Sequence, residues 1–477
     1  MSGSPVAPTG AAGAAGAADA APPGGVSVEV LTAADAERRQ RQAAGSLATA
    51  GLGPGDRVAF ALGSSADLLC AVLGALRTGV VPVLLNATLV EAERDTLIAD
   101  ARPSLVVTDR EGLAALSGGP EVDLAPWPLA RPMHYTSGTT GQAKGVWTGV
   151  WDEATARAAF EDEADLWGFD AGDVHLVCSP MYHSVSVRFA GGTLLRGGTC
   201  VILSRFDAPT AHRVLAGGVG PVPTTTFMAP TALARLLATT SGSGVSDGGA
   251  ARFDHLRLLV HAGSPCPPAT KLAAMARVGP GVVWEFYGST EGQFTVCSPD
   301  EWSARPGTVG RARPGRRLSV DPDGTVWCQA PPFARFEYWG DPDKTASAWR
   351  GDAFTVGDLG RLDGEGYLYL DGRRDDLVIS GGVNVYPAEV EAVLAEVPGV
   401  AEAAVFGVDD ADWGERVCAA VVPAPGAVID LDALAAHAAE RLAPYKRPKE
   451  VTVVAELPHT ATGKLQRRVA AERFGRQ

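Results

Sequence analysis

At 477 residues the chain is too long for one ordinary domain, so two or three packed units are expected. A hydrophobic fraction of 46% and a charged fraction of 20% leave ample material for a large core. Its 41 basic and 55 acidic side chains give a net charge of -14, which excludes non-specific attraction to nucleic acid or to an anionic membrane surface.

Residues 1–25 are mostly Ala, Gly and Pro and carry too little apolar side chain to offset their ordering entropy, so a disordered tail is expected there. From Val26 helices and strands alternate. Ala33 to Ala50 reads as a helix, Arg57 to Leu62 as a strand, and Leu68 to Leu76 as a helix. Val80 to Leu85 is a strand, Glu91 to Ala99 a helix and Ser104 to Thr108 a strand. Further strands are expected at Val174–Cys178, Thr199–Leu203, Thr224–Met228 and Leu256–Val260. Near-continuous apolar strands alternating with helices predict an α/β fold with parallel sheets covered on both faces. A smaller β-rich region follows, with strands at Gly324–Cys328 and Gly366–Leu370. After the charged run Gly372-Arg373-Arg374-Asp375-Asp376, read as an interdomain joint, a compact α+β unit is expected. The seven cysteines are dispersed without a CxxC pair and read as small buried hydrophobes in a reducing compartment. No apolar run is long enough to span a bilayer and no secretion signal is visible, so a cytoplasmic location is expected.

The most informative segment is Tyr135-Thr136-Ser137-Gly138-Thr139-Thr140-Gly141-Gln142-Ala143-Lys144-Gly145-Val146. Glycines and small hydroxyl residues let backbone N–H groups approach phosphate oxygens, and Lys144 adds a cation. A Walker loop is excluded, because GxxxxGK[ST] is not met. The string closely resembles the phosphate loop of the adenylate-forming superfamily, whose acyl- and aryl-CoA synthetases are AMP-forming ligases. The resemblance runs in order over nearly the whole chain. It implies two parallel-type αβα subdomains and a small β-rich subdomain in residues 26–372, followed by a mobile C-terminal domain in residues 373–477.

Other segments carry the resemblance onward. Met181-Tyr182-His183-Ser184 is similar to a gate of the acyl pocket, and Gly263-Ser264-Pro265 to the adenine-contacting turn. In Tyr287-Gly288-Ser289-Thr290-Glu291-Gly292 the resemblance implies a ring stacked on adenine, a Thr290 contact to the α-phosphate, and Glu291 as Mg²⁺ ligand. Asp358 matches the carboxylate that accepts both ribose hydroxyls, Arg373 a second nucleotide contact, and Asp375 the hinge. Lys464, in Thr462-Gly463-Lys464, matches the catalytic lysine that bridges the acid's carboxylate and the α-phosphate. Thr140 and His183 join it and Glu291 as expected catalytic groups. Gly381 and Gly382 resemble a motif that gives pantetheine access, which implies coenzyme A as acceptor.

The expected reaction activates a carboxylic acid with ATP and Mg²⁺, releases pyrophosphate and passes the acyl group to coenzyme A. An amine, a carrier-protein thiol or activated nitrite are alternative second partners, and a non-catalytic nucleotide-binding protein is the alternative of another class. Phe227, Met228, Ala229 and Pro230, near His183 and Tyr287, are expected to line an acyl pocket for an aromatic or medium-length acid. No nucleic-acid or membrane partner is expected, and a homodimer is admitted. Departures from the family pattern are Val356 before Gly357, Glu337 before Tyr338, and a short stretch from Thr108 to Tyr135.

Overall fold

The computed structural model describes residues 25–136, 144–239, 252–373, 376–380, 383–410, 414–460 and 464–475. The expected tail therefore lies outside the described residues. Two six-stranded sheets form the bulk of the chain. In the first, Met133–Thr136, Val81–Leu84, Arg57–Phe60 and Leu105–Val107 run parallel. In the second, Thr199–Leu203, Val174–Val177, Thr225–Met228, Leu258–His261 and Val283–Glu285 do the same. Strands such as Val81–Leu84 and Leu258–His261 are buried at every position, which is why their sequences run apolar without alternating.

The parallel core of each sheet, as expected from the sequence, is extended by antiparallel edge strands. Val28–Thr32 adds antiparallel to Thr199–Leu203. Lys144–Trp147 pairs antiparallel with Met133–Thr136, and Glu337–Tyr338 closes that edge. The connection between Thr136 and Lys144 is too short for the crossover that a parallel pair needs, so the chain turns back on itself.

Helix Ala66–Arg77 binds the two sheets together. Ser65 caps it by accepting the Leu68 N–H at 3.1 Å, and every residue except Asp67 is buried. A helix apolar on all sides must be surrounded, and this one shares a core with Val58 and Val83 of one sheet and Cys200 and Ile202 of the other. Gly74 permits the approach of helix Ala33–Thr49, because a Cβ there would lie 2.5 Å from the Gln40 carbonyl oxygen.

The β-rich region comprises a four-stranded sheet around Val326–Gln329 and the hairpin Asp358–Leu362/Leu368–Arg373. Phe294, Phe336 and Phe354 fill its core. In the C-terminal region the long strands Val400–Asp410 and Gly414–Pro423 pair antiparallel. Val405, Val417 and Ala419 face a core under helices Pro387–Ala395 and Leu431–Arg441. Ala404, Phe406 and Cys418 face a second core closed by Ala470 of helix Arg467–Phe474. The period of two thus buries both faces. Arg467 links that last helix to Glu391 and Asp376 through bonds of 2.6–2.8 Å. Among the described residues no helix is long and apolar enough to cross a membrane.

Leu69→Ala, at a fully buried position of the shared helix, is expected to lower unfolding stability by about 2–5 kcal/mol. A urea titration followed by intrinsic tryptophan fluorescence measures it.

Candidate active site

Four neighbouring parallel strands end on the same side of the second sheet: Val174–Val177, Thr225–Met228, Leu258–His261 and Val283–Glu285. Open α/β sheets bind ligands beyond the carboxyl ends of their strands. The segments leaving these four carry His183, Ala229, Gly263 and Tyr287. Gly263 has φ of 95°, a left-handed conformation that a glycine adopts without strain; Ser264 and Pro265 follow it before helix Pro268–Arg277.

His183 is the residue preceding helix Ser184–Leu195. Its ring centroid lies 4.4 Å from that of Tyr182, and its buried Nε2 has no hydrogen-bond partner among the described residues. Burial pushes its pKa down to about 4, so it is neutral at pH 7.

Past strand Val283–Glu285 the chain makes a tight turn. Gly288 bridges Gln293, and the Ser289 N–H donates to the Gly292 carbonyl at 2.9 Å. The turn carries Thr290 and draws Glu291 inward to 5% exposure. Tyr338 donates its hydroxyl to Glu291 Oε1 at 2.8 Å, while Arg131 donates to the carbonyls of Thr290 and Glu291 at 3.0 and 3.3 Å. A carboxylate accepts more than one hydrogen bond, so Glu291 retains oxygen lone pairs for a hard cation brought by a nucleotide.

The Tyr287 ring packs on Phe294 at 4.8 Å, and its hydroxyl donates to Asp358 Oδ2 at 2.5 Å. Asp358 stands directly opposite Arg373 across the hairpin of the β-rich region. The structure therefore brings Tyr287, Asp358 and the backbone of Arg373 together.

The phosphate segment is framed by its flanking strands. Thr136 and Lys144 are register partners that close the hairpin, whereas Ser137, Gly138, Thr139 and Thr140 lie outside the described residues. Lys144 opens a strand, and its Nζ lies 3.4 Å from Asp341 Oδ2. Asp341 also accepts the Lys344 N–H as the cap of helix Pro342–Ala348; that bond, together with Lys144, holds its carboxyl below the usual range.

Lys464 sits in the C-terminal region, beside the bridge between His459 and Leu465, where its N–H donates to Thr460 Oγ1 at 3.1 Å. Gly381, Gly382 and the expected hinge Asp375 lie outside the described residues. The strands on either side of the glycine pair place Ser380 opposite Val383.

The expected acyl wall is corrected. Successive strand residues face opposite sides, so Phe227 and Met228 cannot line one surface. Phe227 packs with Trp167, Phe189 and Phe286, whereas Met228 is fully buried in a separate core with Leu176 and Leu233. Sequence reasoning also missed a buried ion pair under the Gly263 and Tyr287 turns. Lys271 is fully buried, its Nζ is 2.5 Å from Glu285 Oε2, and it lies over the Trp302 ring at 4.7 Å. Glu285 leads directly into Phe286 and Tyr287, and its register partner His261 leads into the Gly263 turn. The charged residue inside Val283-Trp284-Glu285-Phe286 was the available signal.

The chain matches the family described as AMP-binding enzyme over residues 26–128 and 131–329. It matches the one described as AMP-binding enzyme C-terminal domain over residues 389–464. It is 33% identical to fatty acid–[acyl-carrier-protein] ligase ScoC of Streptomyces coeruleorubidus, covering 93% of this chain and 92% of that protein. Identity to feruloyl-CoA synthase of an Amycolatopsis species is 33%, covering 93% and 94%. The crystal structure of ATP-bound MatB from Rhodopseudomonas palustris matches with a TM-score of 0.80 and 32% identity over 93% of each chain.

Lys271→Met leaves the Glu285 carboxylate buried and unpaired, and is expected to cost about 3–5 kcal/mol. The double variant Lys271→Met/Glu285→Leu recovers most of the loss, as read from thermal melts. Acid is expected to destabilise the fold through its buried histidines. Burial pushes His134, His175 and His261 down to about 3 and His183 to about 4. Below pH 6.5 the unfolded chain binds protons that the folded chain refuses, so stability is full above that value and falls from there towards pH 4. Both ring nitrogens of His261 are buried and have no hydrogen-bond partner among the described residues. Denaturation midpoints between pH 7.5 and 5.5 should accordingly fall less steeply in His261→Leu than in the parent.

Proposed function

We infer the reaction from one premise: the chain belongs to the AMP-binding enzyme family, as an adenylate-forming acid ligase. On that footing we propose that it activates an aromatic or medium-length carboxylic acid and passes the acyl group to the thiol of coenzyme A. The observation that carries the nucleotide assignment is the convergence of Tyr287, Asp358 and the Gly263 turn beyond the strand ends.

In this reading adenine lies against the Tyr287 ring beside Gly263, Ser264 and Pro265. Asp358 Oδ2 is held by the Tyr287 hydroxyl, which orients the carboxylate for the ribose hydroxyls. Arg373, opposite it, contributes a further contact. Lys144 and the hydroxyl-rich segment 136–140 attend the β- and γ-phosphates, and the backbone of Gly288 and Ser289 follows the α-phosphate. Thr290 donates to an α-phosphate oxygen. Glu291 and the nucleotide's phosphates would hold Mg²⁺, which supplies charge neutralisation when bound.

The acid's carboxylate oxygen forms a bond to the α-phosphorus, and the bond from that phosphorus to the bridging oxygen breaks. Its electron pair leaves with pyrophosphate. Lys464 holds the carboxylate and an α-phosphate oxygen together and stabilises the charge that develops between them. Neutral His183 gates the acyl group without competing for its carboxylate. The packed rings of Phe189, Phe227 and Phe286 favour a flat aromatic acid over a long alkyl chain. Rotation about Asp375, at the boundary between residues 26–372 and 373–477, then exchanges Lys464 for Gly381 and Gly382. The coenzyme A sulfur attacks the acyl carbon and AMP leaves. The name of the relative ScoC supports a carrier-protein thiol as the second reading of the acceptor.

Pyrophosphate release over a panel of acids plus nitrite, with and without coenzyme A, tests this. Turnover is expected with an aromatic acid, and acyl-CoA forms only with the thiol present. Lys464→Ala should lower the adenylation rate by about 10²–10³-fold while ATP binding stays within a few fold. Adenylation left unchanged by that substitution would restore the non-catalytic reading.

A further inference from the structure

The Gly263 turn is held at its ends rather than along its length. Ala262, just past its strand, is buried, yet no residue from Gly263 to Thr270 is. The next buried residue is Lys271, in the first turn of helix Pro268–Arg277. That helix starts on Pro267 and Pro268, and among the described residues no side chain caps it. Local sequence therefore fixes the start of the helix weakly, and the turn before it needs an anchor from elsewhere.

Lys271 supplies that anchor through Glu285. Its Nζ lies 2.5 Å from Glu285 Oε2, and the Trp302 ring covers the ammonium at 4.7 Å. Both turns close on Glu285. His261, its register partner in the neighbouring strand, leads into the Gly263 turn, and Lys271 takes the carboxylate where the chain comes back. The Tyr287 turn starts just past Glu285 and returns to it at Cys297, through backbone bonds of 3.0 and 2.7 Å. The backbone thus holds every end but one. At Lys271 the hold is a single side chain.

Strength alone does not account for an ion pair in this place, because replacing a buried pair by apolar residues of similar volume is often neutral for stability. Direction does, since a hydrogen-bonded charge fixes where the helix begins and an apolar contact lets it shift. We propose, on the nucleotide reading above, that Lys271 and Glu285 are positioning residues for the base. Their bond fixes the Gly263–Pro265 turn against the Tyr287 ring and so sets the width of the adenine slot. Both act through the turn, not by touching the base. Binding constellations tolerate displacements of roughly 0.5 Å, and the span from Gly263 to Thr270 has no buried residue of its own to resist one that large.

Calorimetric titration of ATP into the full chain and into Lys271→Met/Glu285→Leu is the test, because that double variant removes both charges and keeps the volume close. It is expected to melt within a few degrees of the parent, to bind one ATP per chain, and to bind it at least fivefold more weakly. A merely structural defect would lower the stoichiometry, since unfolded chains bind nothing, and would leave the dissociation constant of the folded fraction unchanged. Pyrophosphate release at saturating ATP should stay within twofold of the parent. An unchanged dissociation constant overturns the proposal and leaves the nucleotide assignment intact. So does a double variant that melts far below the parent, which would make the pair a brace for the fold. Absence of ATP binding to the parent itself would instead remove the nucleotide reading, and the proposal with it.

Discussion

The hydrogen bond from Tyr287 to Asp358 joins two parts of the fold that are otherwise built independently. Tyr287 leaves the carboxyl end of a parallel strand, and Asp358 begins a hairpin of the β-rich region. Neither could be placed relative to the other by local structure, because 71 residues separate them. One phenol donor and one carboxylate fix the distance and direction between the proposed adenine platform and the proposed ribose acceptor. The phenol is itself held on its backbone side, where the Tyr287 N–H donates to Thr295 Oγ1 at 3.1 Å. The turn that follows is steadied by Arg131, just before strand Met133–Thr136 of the first sheet, and by Tyr338 of that sheet's edge strand.

Much of this was legible because burial on both faces writes itself as uninterrupted apolar sequence. Val81–Leu84 and Thr199–Leu203 are recognisable for that reason alone. The antiparallel hairpin at Met133–Trp147 was not, since Lys144 and Gly145 weaken the strand signal and the intervening residues resemble a loop. Motifs in the sequence single out residues such as Tyr287, Glu291 and Asp358, but not the side chains they bond to. Tyr338 reads as an ordinary aromatic, and only the fold reveals that it donates to Glu291, 47 residues away. Lys271 reads as a surface lysine on a mixed helix, yet it is fully buried against Glu285. The assignment of Phe227 and Met228 to one wall failed for a simpler reason: strand geometry places them on opposite faces.

Polar burial of this kind has a shared logic. Arg313 reaches back 150 residues to Glu163, and Arg188 reaches forward 105 to Gln293. The first ties helix Glu153–Trp167 to the β-rich region and the second ties helix Ser184–Leu195 to the segment after the Tyr287 turn, where apolar packing alone would tolerate sliding. Directional bonds between distant segments specify one arrangement.

The first strand carries a consequence for how the molecule comes into being. Among the described residues Val28–Thr32 pairs only with Thr199–Leu203, and the Ser27 N–H donates to the Ser204 hydroxyl 177 residues further on. On a ribosome adding roughly 5–20 residues per second, that stretch of nascent chain waits roughly ten to thirty-five seconds for its mate. Through that interval Val28, Val30 and Leu31 lack the strand they pair with in the fold.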